Sequence, residues 1–316
     1  MMRKKIFVTG HKGMFGSALV RQLIKNKRIK IIVEEKKKLN LEKFNEVENF
    51  FAKNKPDIVF MAAAKAGGIM ANIKYPVDFF LKNSTIQNNI FYCAFKYKVK
   101  RLIFLGSSCM YPKGINKKIR EEYVLTGLPE DTNKAYAIAK ISGLVLCESF
   151  NRQFFKGKKK FRCIVPPNLF GPNDNYDGND SHVIAALIKK FSHAVKNKKK
   201  SVEIWGSGKP KREFLHVDDA AKATIIISEL SDKKFEKLVG KKISHINLSY
   251  GIDYKVKKIV DIIKKISNFK GKIKYNKKFP DGVNRKLLSD NLCKKLKIFK
   301  NYNLYEKLEK VYKEYN

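Results

Sequence analysis

The sequence lacks the features that mark several large classes of protein. No apolar run is long enough to cross a bilayer: DIVFMAAA at 57–64 and TIIIS at 224–228 have the length of core strands or core helices. The start, MMRKKIFVTG, passes from charge directly into a short strand with no long apolar segment behind it, so it does not read as a signal peptide. The expected compartment is the cytoplasm, with no membrane partner. Cysteine is sparse: Cys93, Cys109, Cys147, Cys163 and Cys293 are odd in number, widely spaced and free of any C-x-x-C pair. That argues against a disulfide framework and a structural zinc site, and no metal is expected. Cys93 and Cys147 fall in helix-like apolar stretches and Cys163 in a strand, so these three read as core.

Acidic residues are also scarce. Against 68 Lys+Arg stand 29 Asp+Glu, a formal net charge of +39. A value this high raises the question of a nucleic-acid partner. The lysines, however, are spread along the whole chain, in runs such as KKK at 36–38, KGKKK at 156–160 and KNKKK at 196–200, mostly where surface helices end. Ile, Asn, Phe and Tyr are abundant too; with Lys these are residues of AT-rich codons, so genome composition is a sufficient cause. The spread argues for a solvated basic surface, not a nucleic-acid site. Such a field would still help draw in a doubly phosphorylated substrate.

What is present is an alternation of strands and helices. The 316 residues, 44% of them hydrophobic, suffice for about two domains with a sizeable core. Strand-like KKIFVTG, IKIIVEE, PDIVFMAAA, VKRLIFLGS and FRCIVPP alternate with helix-like MFGSALVRQLIKNK, LEKFNEVENFFAKN, VDFFLKNSTIQNNIFYCAFKY and NKAYAIAKISGLVLCESFNRQF. Continuously apolar strands between helices predict an α/β fold, a parallel sheet covered on both faces. After Gly171-Pro172 the rhythm changes: a polar loop NDNYDGND, the helix SHVIAALIKKFSHAVKN, the strand SVEIWG, and REFLHVDDAAKATIIISEL, which begins extended and turns helical. SHINLS reads as a strand, YKVKKIVDIIKKIS as a helix, and the tail as mixed. There is no repeat and no low-complexity linker. We expect a Rossmann-type doubly wound domain over 1–171, with returning segments at about 213–249, and a smaller interleaved C-terminal α/β substrate domain from 172–212 and 250–316.

GHKGMFG places Gly10, Gly13 and Gly16 between the first strand and the first helix. Glycine there permits a tight turn, close approach to a pyrophosphate and close helix–strand packing, and the helix N-terminus offers free N–H groups to the anion. A dinucleotide site is expected. Glu34 and Glu35, near the end of the second strand, would suit the ribose hydroxyls of NAD. Lys12 inside the loop and Lys36, Lys37 and Lys38 after the strand would suit the extra phosphate of NADP, and NADP(H) is the reading favoured.

Two further patterns carry chemistry. Tyr136 and Lys140, in YAIAK, are four apart on a helix and share one face. A neighbouring ammonium pulls a phenol down from its ordinary value near 10, and roughly two to three pH units would make it a working acid. In LGSSCMYP, Ser107 and Cys109 are two apart at the end of a strand, and an extended chain would point both into the same space.

Six stretches in order, GHKGMFGSA, AAAKAGGIMAN, LGSSCMYP, YAIAK with LCESFNRQ, SHVIAALIKKF followed by WGSGKPKREFLHVDD, and KFPDGVNRKLLSD, resemble the extended short-chain dehydrogenase/reductase family over nearly the whole chain. Within it the similarity is to the branch that epimerises GDP-4-keto-6-deoxy-D-mannose at carbons 3 and 5 and then reduces carbon 4. The resemblance implies Ser107, Tyr136 and Lys140 for reduction, Cys109 as the base of both epimerisations, and His182 as the acid on the opposite face. Taken by itself His182 is a polar residue at the first turn of a helix capped by Asp180 or Ser181. Cofactor contacts implied are Gly10, His11, Lys12, Gly13, Met14, Phe15, Gly16, Lys36, Asn40, Leu41, Leu105, Gly106, Ser107, Ser108, Lys140, Pro166, Asn168, Leu169 and His182.

For the GDP-sugar the implied contacts are Lys190, Trp205, Arg212 and Asp281, the two cations suiting a diphosphate. Trp205 would fit a core equally, and Lys190 a solvated helix face. A homodimer is usual for such folds. The chain departs from the family pattern with lysine for arginine at Lys12 and Lys36, and with Pro167 for a small polar residue. Rival readings are another NAD(P)-dependent nucleotide-sugar epimerase or dehydratase, and a non-catalytic dinucleotide- or RNA-binding protein. The dehydratase would need an acidic pair where Ser108 and Cys109 stand.

Overall fold

The structure, a computed structural model, describes residues 3–176, 181–279 and 281–316. The first half runs β1 (Lys4–Thr9), α1 (Met14–Leu23), β2 (Ile29–Ile32), α2 (Phe44–Asn54), β3 (Ile58–Met61), α3 (Ile69–Lys74), α4 (Pro76–Lys96), β4 (Arg101–Leu105), α5 (Lys134–Gln153) and β5 (Phe161–Val165). The second continues with β6 (Asn168–Phe170), α6 (Val183–Lys196), β7 (Ser201–Trp205), β8 (Lys211–Arg212), β9 (Phe214–His216), α7 (Val217–Glu229), α8 (Asp232–Val239) and β10 (His245–Asn247). Then come β11 (Tyr254–Lys255), α9 (Val256–Ile266), β12 (Lys272–Asn276), β13 (Arg285–Lys286), α10 (Asn291–Lys295) and α11 (Leu304–Tyr315).

Among the described residues the main sheet holds six strands in the order β2-β1-β3-β4-β5-β10, every neighbouring pair parallel. The chain winds one way from β1 to β2 and the other way from β3 onward. The C-terminal edge of β1 and β3 is therefore the switch point at which such sheets take their ligands. Successive strand residues point to opposite faces, and both faces are covered. Ile6, Val8, Ile58, Phe60 and Ile103 pack against Phe15, Leu19, Ala220 and Ile227 of α1 and α7. Phe7, Val59, Met61, Leu102 and Phe104 pack against Phe51, Phe91 and Leu144 of α2, α4 and α5. Each fully buried phenylalanine contributes about 2 kcal/mol. Cys93, Cys147 and Cys163 lie in this core, as expected. A separate apolar cluster joins α6, β7, α9 and α11 through Ile188, Phe191, Ile204, Ile259 and Leu308, and β7 pairs with β12.

Boundaries moved in places. β2 stops at Ile32, so Glu34 and Glu35 lie in the coil that follows it. A short helix, α3, precedes α4, which starts with Pro76 at its first position, where the missing N–H costs nothing. Among the described residues no helix is long and apolar enough to cross a membrane.

The lead-in to α7 is fixed by a buried carboxylate. Glu213 is wholly enclosed and accepts hydrogen bonds from Ser249 Oγ and from the Tyr250 and Gly251 N–H groups. Burial pushes it up to about 8, those bonds opposing. Asn168 donates its N–H and its side-chain amide to the Glu213 carbonyl. In KREF at 211–214, Glu213 and Phe214 are buried, whereas Lys211 and Arg212 before them are half-buried.

Candidate active site

The glycine loop is closed on itself. Gly10 has φ +65°, and a Cβ there would fall 2.8 Å from the Ala63 Cα. The Gly13 N–H donates to the Gly10 carbonyl at 2.9 Å. A Cβ on Gly16 would stand 2.1 Å from that same oxygen. Gly13 is the N-cap of α1 and brings no side chain, which leaves the first-turn N–H groups to an anion. The loop thus fits a dinucleotide pyrophosphate. Met14 and Phe15 open the helix; the Phe15 ring is core, so only its backbone faces the loop. His11 Nδ1 is buried with no partner among the described residues.

Two of the expected phosphate cations, one in the loop and one after β2, are paired. Lys12 meets Glu35 at 2.6 Å and Lys36 meets Glu42 at 3.2 Å. The Lys12 hydrogen bond, then its charge, hold the exposed Glu35 carboxyl below its usual value. The Asn40 N–H donates to Glu46 at 2.7 Å, and the Leu41 carbonyl accepts from Asn89 at 2.9 Å. A 2′-phosphate would compete with Glu35 and Glu42 for the two lysines.

Ser107, Cys109 and Tyr136 come together, but not by strand alternation. β4 ends at Leu105, the Gly106 N–H donates to Ile164, and Ser108–Met110 form a tight 3-10 turn. Ser107 caps that turn, its Oγ accepting the Cys109 N–H at 3.1 Å. The i, i+2 rule fails here because the side-chain cap bends the backbone out of the extended form. Ser108 is buried beneath the turn.

The phenol–ammonium reading also changes. Burial first, and the Cys109 charge second, raise Tyr136 above its usual 10.0, while a hydrogen bond with Ser107 opposes. Lys140 has no part in that balance. It is 3% exposed, its Nζ donates to the Leu105 carbonyl at 2.7 Å, and it stands 5.8 Å from the centre of the Tyr136 ring. Burial brings the Lys140 ammonium down to about 8. Desolvation dominates both groups and neither shifts the other, so the phenol is held protonated.

His182 does not touch this cluster through any described contact. It is itself the N-cap of α6, without a side-chain cap bond. Asp180, one of the two expected caps, lies outside the described residues, and Ser181 is not the cap. The imidazole Nδ1 is 2.7 Å from Asp174 Oδ1, whose side chain is almost wholly buried. That hydrogen bond raises the His182 pKa above 6.5, burial opposing. An Nδ1–H bond to a carboxylate leaves Nε2 for a substrate. The same turn reaches the cofactor helix, Asn173 donating to Ser17 Oγ at 3.0 Å. Pro166 follows β5 directly, and Leu169 pairs with Leu215.

The implied sugar-nucleotide residues form one wall. Lys190 Nζ sits 4.6 Å over the Trp205 ring and donates to the Glu203 carbonyl. Trp205 is 38% exposed and stacks on Phe279 at 4.1 Å with the planes 8° apart, so it is not core. Asp281 receives Ser207 N at 2.7 Å and Ser207 Oγ at 2.6 Å. Burial lowers the Arg212 pKa, and the charges of Cys109, Glu130 and Asp281 oppose it. Arg212 therefore lies within electrostatic range of both the thiol and this wall.

Sequence reasoning missed Asn133, whose Nδ2 is 3.3 Å from Cys109 Sγ, together with Asp174 and Phe279. Asn133 reads as an ordinary helix cap. Asp174 is one of several acids in a polar loop. Phe279 sits beside a turn. None carried a signal of its own.

The sequence profile of the NAD dependent epimerase/dehydratase family matches residues 6–239. GDP-L-fucose synthase of Escherichia coli (strain K12) is 42% identical over 91% of this chain and 89% of its own length. A solved GDP-6-OMe-4-keto-L-xylo-heptose reductase from C. jejuni is similar with a TM-score of 0.91 and 32% identity, covering 100% of this chain and 98% of that one. A GDP-L-fucose synthetase from Naegleria fowleri bound to NADP has a TM-score of 0.84 at 28% identity, covering 99% and 94%.

Proposed function

This chain belongs to the NAD dependent epimerase/dehydratase family, and from that premise we propose that it is a GDP-sugar epimerase and reductase using NADP(H). The substrate is GDP-4-keto-6-deoxy-D-mannose and the product GDP-L-fucose. The observation that carries this reading is the meeting of a thiol, a hydroxyl and a protonated phenol at the end of β4, with Arg212 in electrostatic range.

The Cys109 thiolate takes the proton from carbon 3, and in a second round from carbon 5. The C–H electron pair moves onto the 4-keto oxygen as an enolate, which hydrogen bonds from Ser107 and Tyr136 stabilise. His182, whose protonated form the Asp174 hydrogen bond favours, returns a proton to the opposite face of the carbon. The thiol proton passes to solvent, and a solvent proton reloads the imidazole. When bound, NADPH supplies the hydride for carbon 4. Tyr136 gives its proton to the resulting alkoxide; a phenol with a raised pKa still protonates an alkoxide. Lys140 steadies the phenolate left behind from beneath the ring.

Gly10 to Gly16 would cradle the pyrophosphate, with the other implied cofactor positions around it. Lys190, Trp205, Arg212 and Asp281 would hold the nucleotide end of the sugar. In this reading 1–171 with about 213–249 is the cofactor domain, and 172–212 with 250–316 the substrate domain. The compartment is the cytoplasm, since a base thiol must stay reduced. The chain acts as a homodimer, supported by exposed apolar residues on neighbouring helices: Val77, Leu81 and Tyr92 on α4, Ile138 and Val145 on α5.

The test follows deuterium from heavy water into carbons 3 and 5 by mass spectrometry, with loss of NADPH absorbance as the second readout. Cys109→Ser is expected to lose exchange and keep reductase chemistry. Normal exchange in that variant would remove the thiol from the mechanism.

A further inference from the structure

Asn133 stands at the N-cap of α5, three residues before Tyr136, and it does not cap. Asparagine is favoured at that position because its side-chain oxygen accepts an N–H of the first turn. Here no side-chain cap bond forms, and Oδ1 is buried with no partner among the described residues. The amide is turned the other way, with Nδ2 donating to Cys109 Sγ at 3.3 Å. The fold thus gives up a helix cap and buries a bare carbonyl oxygen, both of which cost stability. What it gains is an N–H aimed at the sulfur.

We propose that Asn133 is the positioning residue of the base: its amide N–H fixes the rotamer of the Cys109 side chain and favours the thiolate over the thiol. An N–H donor stabilises S⁻ more than S–H, because only the anion is a strong acceptor. The other groups facing Cys109 are Tyr136 from α5 and Arg212 from β8; Arg212 in turn faces Glu130 and Asp281. Arg212 is the charge expected to move when the diphosphate binds. Asn133 is neutral and anchored in the helix, so its contribution stays in place with or without substrate. The inference rests on the epimerase reading for the use made of the thiolate, not for its existence.

The experiment measures iodoacetamide alkylation of Cys109 across pH 6 to 10, read by mass spectrometry of its peptide. The other four cysteines are buried and serve as an internal check on folding. Asn133→Ala is expected to raise the pH midpoint by about one unit, close to tenfold in rate below the midpoint. Asn133→Asp keeps the shape, places a negative charge by the sulfur and can accept a first-turn N–H. It is expected to raise the midpoint further while leaving the melting temperature equal or higher. A purely structural asparagine would give a lower melting temperature in the alanine variant and an unmoved midpoint there. That result overturns the proposal. If the alanine variant does not fold, Asn133→Leu, which keeps the shape without an N–H donor, decides in its place, and an unmoved midpoint there overturns the proposal. No substrate is present, so this outcome is independent of the exchange test on Cys109→Ser.

Discussion

Lys140 offers a prediction that the structure makes quantitative. Its ammonium is 3% exposed, with the Leu105 carbonyl as its hydrogen-bond partner, and burial lowers it from the usual 10.5 to about 8. At about 1.4 kcal/mol per pH unit this difference corresponds to about 3 kcal/mol. Below pH 8 the lysine is charged both folded and unfolded, and the folded state carries the whole desolvation cost. Between about 8 and 10.5 the unfolded chain binds the proton and the folded chain does not, so this group makes stability rise with pH. Above 10.5 the cost is gone. Lys140→Met keeps the volume and removes the charge. It also leaves the Leu105 carbonyl unpaired, at about 1–3 kcal/mol.

At pH 7 the two changes offset each other, and the variant is expected to melt near the parent. As pH rises to 10.5 the parent gains about 3 kcal/mol relative to the variant. The assay is urea unfolding of both proteins from pH 7 to 11. Taking the difference between the two curves cancels the many other tyrosines and lysines that titrate there. Parallel curves would refute the reasoning, since they would mean that Lys140 is not held as a desolvated cation.

Three further outcomes are expected. Gly16→Ala places a methyl group 2.1 Å from the Gly10 oxygen, so the loop must open; NADPH affinity measured by fluorescence titration should fall at least tenfold. Asp174→Asn removes the charge that holds His182 above 6.5. The imidazole should then lose its proton at lower pH, and the alkaline decline of C–H exchange should move down with it, both read against an NMR titration of the histidine. Trp205 is the only tryptophan and stacks on Phe279 beside Lys190, so its emission should change on titration with GDP; constant emission would place the nucleotide elsewhere.

Much of this was readable in the residues. The βα alternation, the glycine loop, the core cysteines and the tyrosine–lysine helix needed only local rules, because hydrophobic period and turn chemistry act over a few residues. The small elements of the second half, β8, β11 and β13, were not readable. Two-residue strands exist only by pairing, β8 with both Tyr254–Lys255 and Arg285–Lys286, and pairing is non-local. The site was legible as a set of names and not as a geometry. Ser107 and Cys109 were right as neighbours for the wrong reason, a cap-driven turn instead of an extended strand.

The sequence by itself determined which chemistry was on offer: a phosphate loop, a thiol, a hydroxyl, a phenol and a lysine, each fixed by residue type and short spacing. Tertiary structure alone decided the charge state and aim of those groups. Burial set Lys140 and Tyr136 against the expected mutual attraction, a carboxylate eight residues away oriented His182, and a helix cap turned toward sulfur. Desolvation depends on everything that surrounds a group, and that is known only once the chain has closed around it.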